Sequence, residues 1–437
     1  MKKREGASVA REPGPPPAPA RASDRLAWLD ALRGLAVLSV VTDHLTYHLL
    51  TGLRPSVLPW FDNGAYGVMI FFLVSGYIVP ASLERRGDIR GFWLGRLFRL
   101  YPLWGLALTA TLGLAATGAG TLRQGLADRP AQAAIAHLTM LQDLLDVTNA
   151  INVLWTLSYE MVFYLLTTAL FVFGLHRRSS GAALTFVLAA CGAGGVLSPL
   201  WLSRSVGTGT VILLATAALA AGLAGVVRRS RAARVVGAAI LTVLSLCLVT
   251  VNSRLPVWHS LVILATMFSG TALYRFEQHR PRQWGLVALV PPLSIACGLA
   301  HGPPAERWRW ALTVAAAWAT FAVAMLLRHR RLPPILPWIG VLSYSIYLLH
   351  PLLLDLLDAA CGDRRDDTLL LQLAWVALFL AALLGASHLA HRYVEVPGQR
   401  LGHRMRAAGP AANPAAGTVL RSADRRCPGP SRPVDAP

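Results

Sequence analysis

The chain has 437 residues, of which 54% are hydrophobic and 14% charged, and its mean hydropathy is +0.49. Soluble domains carry about 25% charged residues, so this composition excludes an ordinary soluble domain and points to an all-α, polytopic transmembrane bundle. The formal net charge of +19 does not indicate nucleic-acid binding, because the basic residues stand in short clusters between apolar runs, with no aromatic-interleaved basic face.

In chain order, residues 1–26, with "REPGPPPAPA", are expected to form a disordered cytoplasmic tail and not a signal peptide. Runs of the length that crosses a bilayer, roughly 17–25 apolar residues, fall near 30–51, 65–84, 97–117, 153–175, 182–202, 208–227, 235–252, 256–275, 284–301, 308–327, 335–358 and 369–391. The bundle is therefore expected to have about ten to twelve spans within a membrane domain at 27–400, followed by a second tail at 401–437. Loops with clustered Arg (85–99, 176–178, 228–234, 275–282, 328–331 and the end from His391) alternate with weakly charged or acidic ones. The positive-inside rule then places both termini in the cytoplasm with an even number of spans. The five cysteines form no CxxC, so neither a disulfide framework nor a zinc site is expected.

Ionisable residues inside apolar runs need a reason to be there. In "LRGLAVLSVVTDHL", eleven residues separate Arg33 from His44; that is about three turns plus 20°, so both share a face about 16 Å apart. Asp43 lies about 100° around the helix from His44 and is a poor partner for it. "LWTLSYEMVFY" places Glu160 about 12 Å in from the opposite end, with Tyr164 one turn later on the same face. "IGVLSYSIYLLHPLLL" carries His350 about 22 Å in, with Ser343 and Tyr347 on its face. His44, Glu160 and His350 thus come to comparable depths.

Each residue also has a plainer reading. His44 could simply bond Asp43 or a neighbouring helix. His350 precedes Pro351 and could serve a kink, and Ser75-Gly76 suits close helix packing more than nucleophilic attack. No GxSxG elbow is present. Arg85, Arg86, Arg96 and Arg99 read as positive-inside anchors, one or two of them also placed to grip phosphates. In "HLAHRYVEVP", His388, His391 and Glu395 share a helical face; ion pairing with nearby Arg is the better reading than a metal site, and no metal is expected.

Six stretches, "LDALRGLAVLSVVTDH", "GVMIFFLVSGYIV", "RLFRLYPLW", "LWTLSYEMVFYLL", "SYSIYLLHPLLL" and "YVEVPGQR", occur in this order between residues 29 and 400. Together they resemble the membrane acyltransferase-3 family of bacterial integral-membrane O-acyltransferases. The resemblance implies transfer of an acyl group, often acetyl, from acyl-coenzyme A to a hydroxyl of a glycan, lipid-linked sugar or macrolide-type acceptor, in the cell membrane and with no metal or prosthetic group. It implies a catalytic role for His44, matched positions for Glu160 and His350, and donor support from Arg33. Neutral His44 would accept the proton of the acceptor hydroxyl, because its ordinary pKa of about 6.5 lies near working pH. Glu160 or His350 would orient it, and Arg33 with Arg96 or Arg99 would hold coenzyme A phosphates. Two features depart from the family pattern: Met161 stands where many relatives carry a second acid, and twelve runs exceed the usual ten or so helices. The competing class is a twelve-span secondary transporter, to which "GDIRGFWLGR" bears a superficial likeness without an internal half-repeat.

Overall fold

A computed structural model describes residues 27–53, 59–118, 123–279, 284–330, 332–362 and 367–407. Residues 1–26 and 408–437, read above as tails, lie outside the described residues, as do Arg54, Arg280, Arg282, Arg331 and 363–366. The described elements are helical, with no strand among them: α1 (Ala27–His48), α2 (Asn63–Arg86), α3 (Ile89–Ala116), α4 (Pro130–Leu138), α5 (Trp155–Val172), α6 (Ser179–Ala193), α7 (Trp201–Val206), α8 (Thr208–Val226), α9 (Arg231–Val251), α10 (Val257–His279), α11 (Val290–His301), α12 (Arg307–Leu326), α13 (Ile335–Cys361), α14 (Leu369–Ala390) and α15 (Val396–Ala407). The stretch expected to be tail from residue 401 thus begins as helix, through Ala407.

Among the described residues, nine helical stretches are long and apolar enough to cross a membrane. α1 is long enough, with 22 residues, but carries Asp30, Arg33 and Asp43 within it. Two of the twelve apolar runs are shorter as helices: α6 has 15 residues, and Gly285–His301 joins a 3-10 segment to α11.

α1 packs most extensively on α13 and then on α2, while α10 bridges α2 and α6. The seam between α1 and α13 explains two glycines. A Cβ on Gly34 would run into the Leu336 carbonyl, and one on Gly340 into the Asp30 carbonyl, so the two backbones touch where side chains would hold them apart. Gly76 plays the same part against Met267 on α10, which supports reading Ser75-Gly76 as a packing step. Local signals fix the α2–α3 corner. The Asp62 carboxylate accepts the Ala65 N–H at 2.8 Å, and Gly87, at φ 65°, closes the other end by donating to Leu83. Arg275, counted above among loop cations, is buried instead. It pairs with Glu84 and donates to Ser179 Oγ at 2.7 Å, tying α2, α6 and α10 together at the Arg-rich end.

Residues 123–154, between α3 and α5, form a polar plug at the other end. Gln142 donates to Asn149 and to the Leu154 carbonyl, Asn149 donates to Asp143, and Asn252 on the far side donates to Leu144. His137 holds the plug by two roles: Nδ1–H donates to the Ala133 carbonyl (2.8 Å), and Nε2 accepts the Ala150 N–H (3.1 Å). That pairing requires the neutral ring. Burial pushes the His137 pKa below its ordinary 6.5, with the Ala133 bond offsetting part of the effect.

Two outcomes follow from these contacts. Gly340→Val should cost about 1–3 kcal/mol or more through overpacking of the α1–α13 seam, read as a lowered thermal midpoint in detergent. A depressed folded-state pKa gives stability that is present above the unfolded value of about 6.5 and lost as pH falls. Exchange protection of the Ala150 amide, corrected for intrinsic rates, should therefore fall as pH drops below about 6.5, and His137→Gln should blunt that dependence.

Candidate active site

The seam between α1 and α13 brings two of the predicted residues into contact. His44 Nδ1 lies 2.7 Å from His350 Nε2, with the rings 4.8 Å apart between centroids. His350 is fully buried, and its Nδ1 lies 3.1 Å from the Ile346 carbonyl one turn earlier. A carbonyl only accepts, so His350 carries its proton on Nδ1 and presents the Nε2 lone pair to His44. His44 then donates from Nδ1 and keeps the lone pair on Nε2. The second histidine thus sets the tautomer of the first, as an orienting group must. Asp43 turns away toward Gly64 at the start of α2, as the helical arithmetic requires.

Glu160 does not join the histidine pair. It accepts from Ser75 Oγ at 2.9 Å and from the Tyr164 hydroxyl, and it lines a narrow cavity of about 110 Å³ with Arg33, Arg96, Arg99, Ser343 and Tyr347. Ser75 on α2 and Tyr164 on its own helix α5 hold Glu160 toward this arginine-lined cavity. Arg33 reaches Asp30 at 3.6 Å. Arg96 donates to Ser82 Oγ at 3.2 Å and sits over the rings of Phe92 and Tyr164, at 5.4 Å from each. Met161 is buried in the core, so Glu160 is the carboxylate that this stretch offers. Tyr347 closes the cavity below His350; its hydroxyl meets Thr156 Oγ1 at 3.0 Å. The Ser343 hydroxyl is fully buried and finds no hydrogen-bond partner among the described residues.

Beyond the pair, His44 and Pro351 help line a second, more polar pocket of about 310 Å³ with His48, Arg123, Asn152 and Asp355. His48 pairs with Asp358 at 2.6 Å, and Arg123 donates to Asn152 Oδ1 at 3.1 Å. Sequence reading missed this pocket, because its residues come from four segments with no shared motif. His44 thus lines the mixed-charge pocket, and Tyr347, whose ring centroid lies 6.0 Å from that of His350, lines the arginine-rich cavity. Such an arrangement suits moving a group from an anionic donor on one side to a polar acceptor on the other, with a neutral imidazole available as base.

"HLAHRYVEVP" takes another course than a regular helix. Residues His391–Glu395 form a π-turn, which places Glu395 to accept from Ser345 (3.2 Å), His391 (3.0 Å) and Gln399 (3.1 Å). The described residues contain no group of three His, Cys, Asp or Glu able to hold a metal ion. Cys191 and Cys297 are free thiols whose sulfurs meet at 2.7 Å between α6 and α11.

Removing the Glu160 carboxylate would leave the cations facing this cavity without the acid that looks at them. Glu160→Leu should cost about 1–3 kcal/mol, the cost of leaving the Ser75 and Tyr164 hydroxyls without their acceptor, and Glu160→Gln, which keeps both hydrogen bonds, distinctly less, as read from thermal unfolding in detergent.

The family described as "Acyltransferase domain" matches residues 26–391. Over 174 residues the chain is 30% identical to YrhL of Bacillus subtilis (strain 168), designated a peptidoglycan O-acetyltransferase. Over 168 residues it is 29% identical to the O-acetyltransferase OatA of Staphylococcus aureus (strain NCTC 8325 / PS 47). These alignments cover 37% and 35% of the chain and 26% of each relative, so the chain spans about a quarter of the length of the curated relatives it matches. No solved structure matches it.

Proposed function

The chain belongs to the acyltransferase family matched over residues 26–391, and from that premise we propose that it is an O-acyltransferase that moves an acyl group, acetyl first among candidates, from acyl-coenzyme A to a hydroxyl of a glycan acceptor. It is a multi-pass membrane protein. Family membership overturns the transporter alternative.

The observation that carries the reading is the His44–His350 bond, set between the cavity with Arg33, Arg96 and Arg99 and the polar pocket beyond. The donor's anionic end faces the arginines, and its pantetheine arm runs along the cavity, with the buried Ser343 hydroxyl available to an amide of the arm. The roughly 16 Å between Arg33 and His44 suits such an arm, with the thioester at the pair. The acceptor hydroxyl comes from the other pocket. His44 Nε2 takes its proton as the oxygen attacks the thioester carbonyl. The C–S bond then breaks, and the thiolate recovers that proton from the imidazolium. His350 holds His44 in the tautomer that leaves Nε2 basic. Glu160 is a positioning residue in this scheme: through Ser75 and Tyr164 it fixes the cavity wall beneath the reacting carbonyl. A positive-inside orientation would put the donor cavity at the cytoplasmic face and the acceptor pocket at the other. The relatives named above act, by their names, on peptidoglycan or by O-acetylation; a glycan is the acceptor class these names support, and a macrolide-type sugar presents the same hydroxyl chemistry.

Labelled acetyl-coenzyme A and candidate acceptors, supplied to the purified protein, test this reading. His44→Ala should lower transfer by about 10²–10⁴-fold in a protein that still folds. His350→Phe should lower kcat and shift the pH profile, because His44 loses the acceptor that fixes its tautomer. Full activity in a folded His44→Ala protein would remove His44 from the role of base, and label trapped on protein without acceptor would replace direct transfer with an acyl-enzyme route.

A further inference from the structure

The last described helix, α15, lies along the Arg-rich end of α3, and between them is a pocket of about 180 Å³. Arg86, Arg96, Arg99, His403 and Arg406 line it, with Gln399 and no carboxylate. Arg86 and Arg96 stand close enough to Arg406 to repel it, and Asp88 is the nearby acid that offsets them. Converging cations of this kind favour an anion among them.

The pocket is built into the helix packing. Gly398 and Gly402 let α15 settle onto Pro102 and Phe98 of α3. On α3 itself, a Cβ at Gly95 would collide with the Arg406 guanidinium, and one at Gly91 would touch its stem. These glycines form the groove in which Arg406 lies. Its buried Nε has no hydrogen-bond partner among the described residues. Gln399 is oriented by its bond to Glu395, which the π-turn aims inward. Arg96 and Arg99 also line the cavity that leads toward the histidine pair, so they stand where the two spaces adjoin.

We propose that α15 forms one wall of a phosphate-binding pocket, in which Arg86, His403 and Arg406 grip the nucleotide phosphates of the donor while Arg96 and Arg99 mark where its acyl-bearing arm turns inward. Guanidinium groups suit this because they bind phosphate oxygens through paired N–H donors. The proposal rests on the acyl-coenzyme A reading above.

The test uses the full chain purified in detergent, with acetyl-coenzyme A and S-acetylpantetheine, which lacks the nucleotide, as alternative donors. Arg86→Ala and Arg406→Gln should each raise the KM for acetyl-coenzyme A by about tenfold or more, the scale of one charge-assisted hydrogen bond. Neither should change the KM for S-acetylpantetheine. Arg404→Ala, exposed on the same helix and outside the pocket, should leave both constants unchanged. An unchanged acetyl-coenzyme A KM in folded Arg86→Ala and Arg406→Gln proteins overturns the assignment. So does a defect that follows the phosphatidylglycerol content of nanodiscs with donor KM unaltered, since it identifies a lipid headgroup as the anion. If the parent protein uses neither donor, the acyl-coenzyme A reading fails by itself. Direct titration with 3′-phosphoadenosine 5′-phosphate then decides the pocket: binding lost in the variants supports a nucleotide phosphate site, and no binding to the parent overturns it.

Discussion

Two imidazoles 306 positions apart in the chain share a hydrogen bond of 2.7 Å, and much of the bundle is arranged so that they can. α1 and α13 must come close enough for backbone to touch backbone, which is why Gly34 and Gly340 stand on the seam. The depth of each histidine along its helix then matters to within a turn, because one turn moves a side chain by about 5.4 Å. His48 and Asp358 repeat the α1–α13 link one turn further along α1 and two turns further along α13, so the histidine pair is bracketed by a glycine contact at one end and a side-chain hydrogen bond at the other.

The parts of the site that were legible in the sequence are those set by helical geometry within one segment. Arg33 and His44 share a face of α1, Asp43 does not, Tyr164 follows Glu160 by one turn and bonds it, and Ser343 and Tyr347 line the cavity below His350. The order and chemistry of the motifs also sufficed for the family. What could not be read was contact between segments. Whether Glu160 or His350 orients His44 depends on how α5 and α13 are rotated against α1, and no periodicity carries that. The plug between α3 and α5 was invisible for a related reason. Its order comes from side-chain amides and His137 bonding distant backbone groups, and such bonds leave no pattern in the local sequence.

α15 shows how tertiary context recasts a segment. As sequence, residues 401–407 look like the beginning of a basic tail. In the fold they complete a helix whose glycines seat it on α3 and whose cations face those of the α2–α3 corner. The π-turn at His391–Glu395 adds the extra residue that redirects the chain and turns a carboxylate into the bundle. π-turns are energetically poor in isolation and are kept mostly at functional sites; here the turn orients Gln399 and Ser345 together.

The placement of the histidine pair has a bioenergetic consequence. Tyr347 lines the arginine-rich cavity and His44 the polar pocket, so the two rings and Tyr347 separate these two spaces. A membrane that stores an ion gradient is discharged by any continuous water file. The hydrogen bonds of His350 to His44 and to the Ile346 carbonyl, and of Tyr347 to Thr156, commit the polar groups between the two spaces to one another, so that the transfer proposed above need not open a water file from one space to the other.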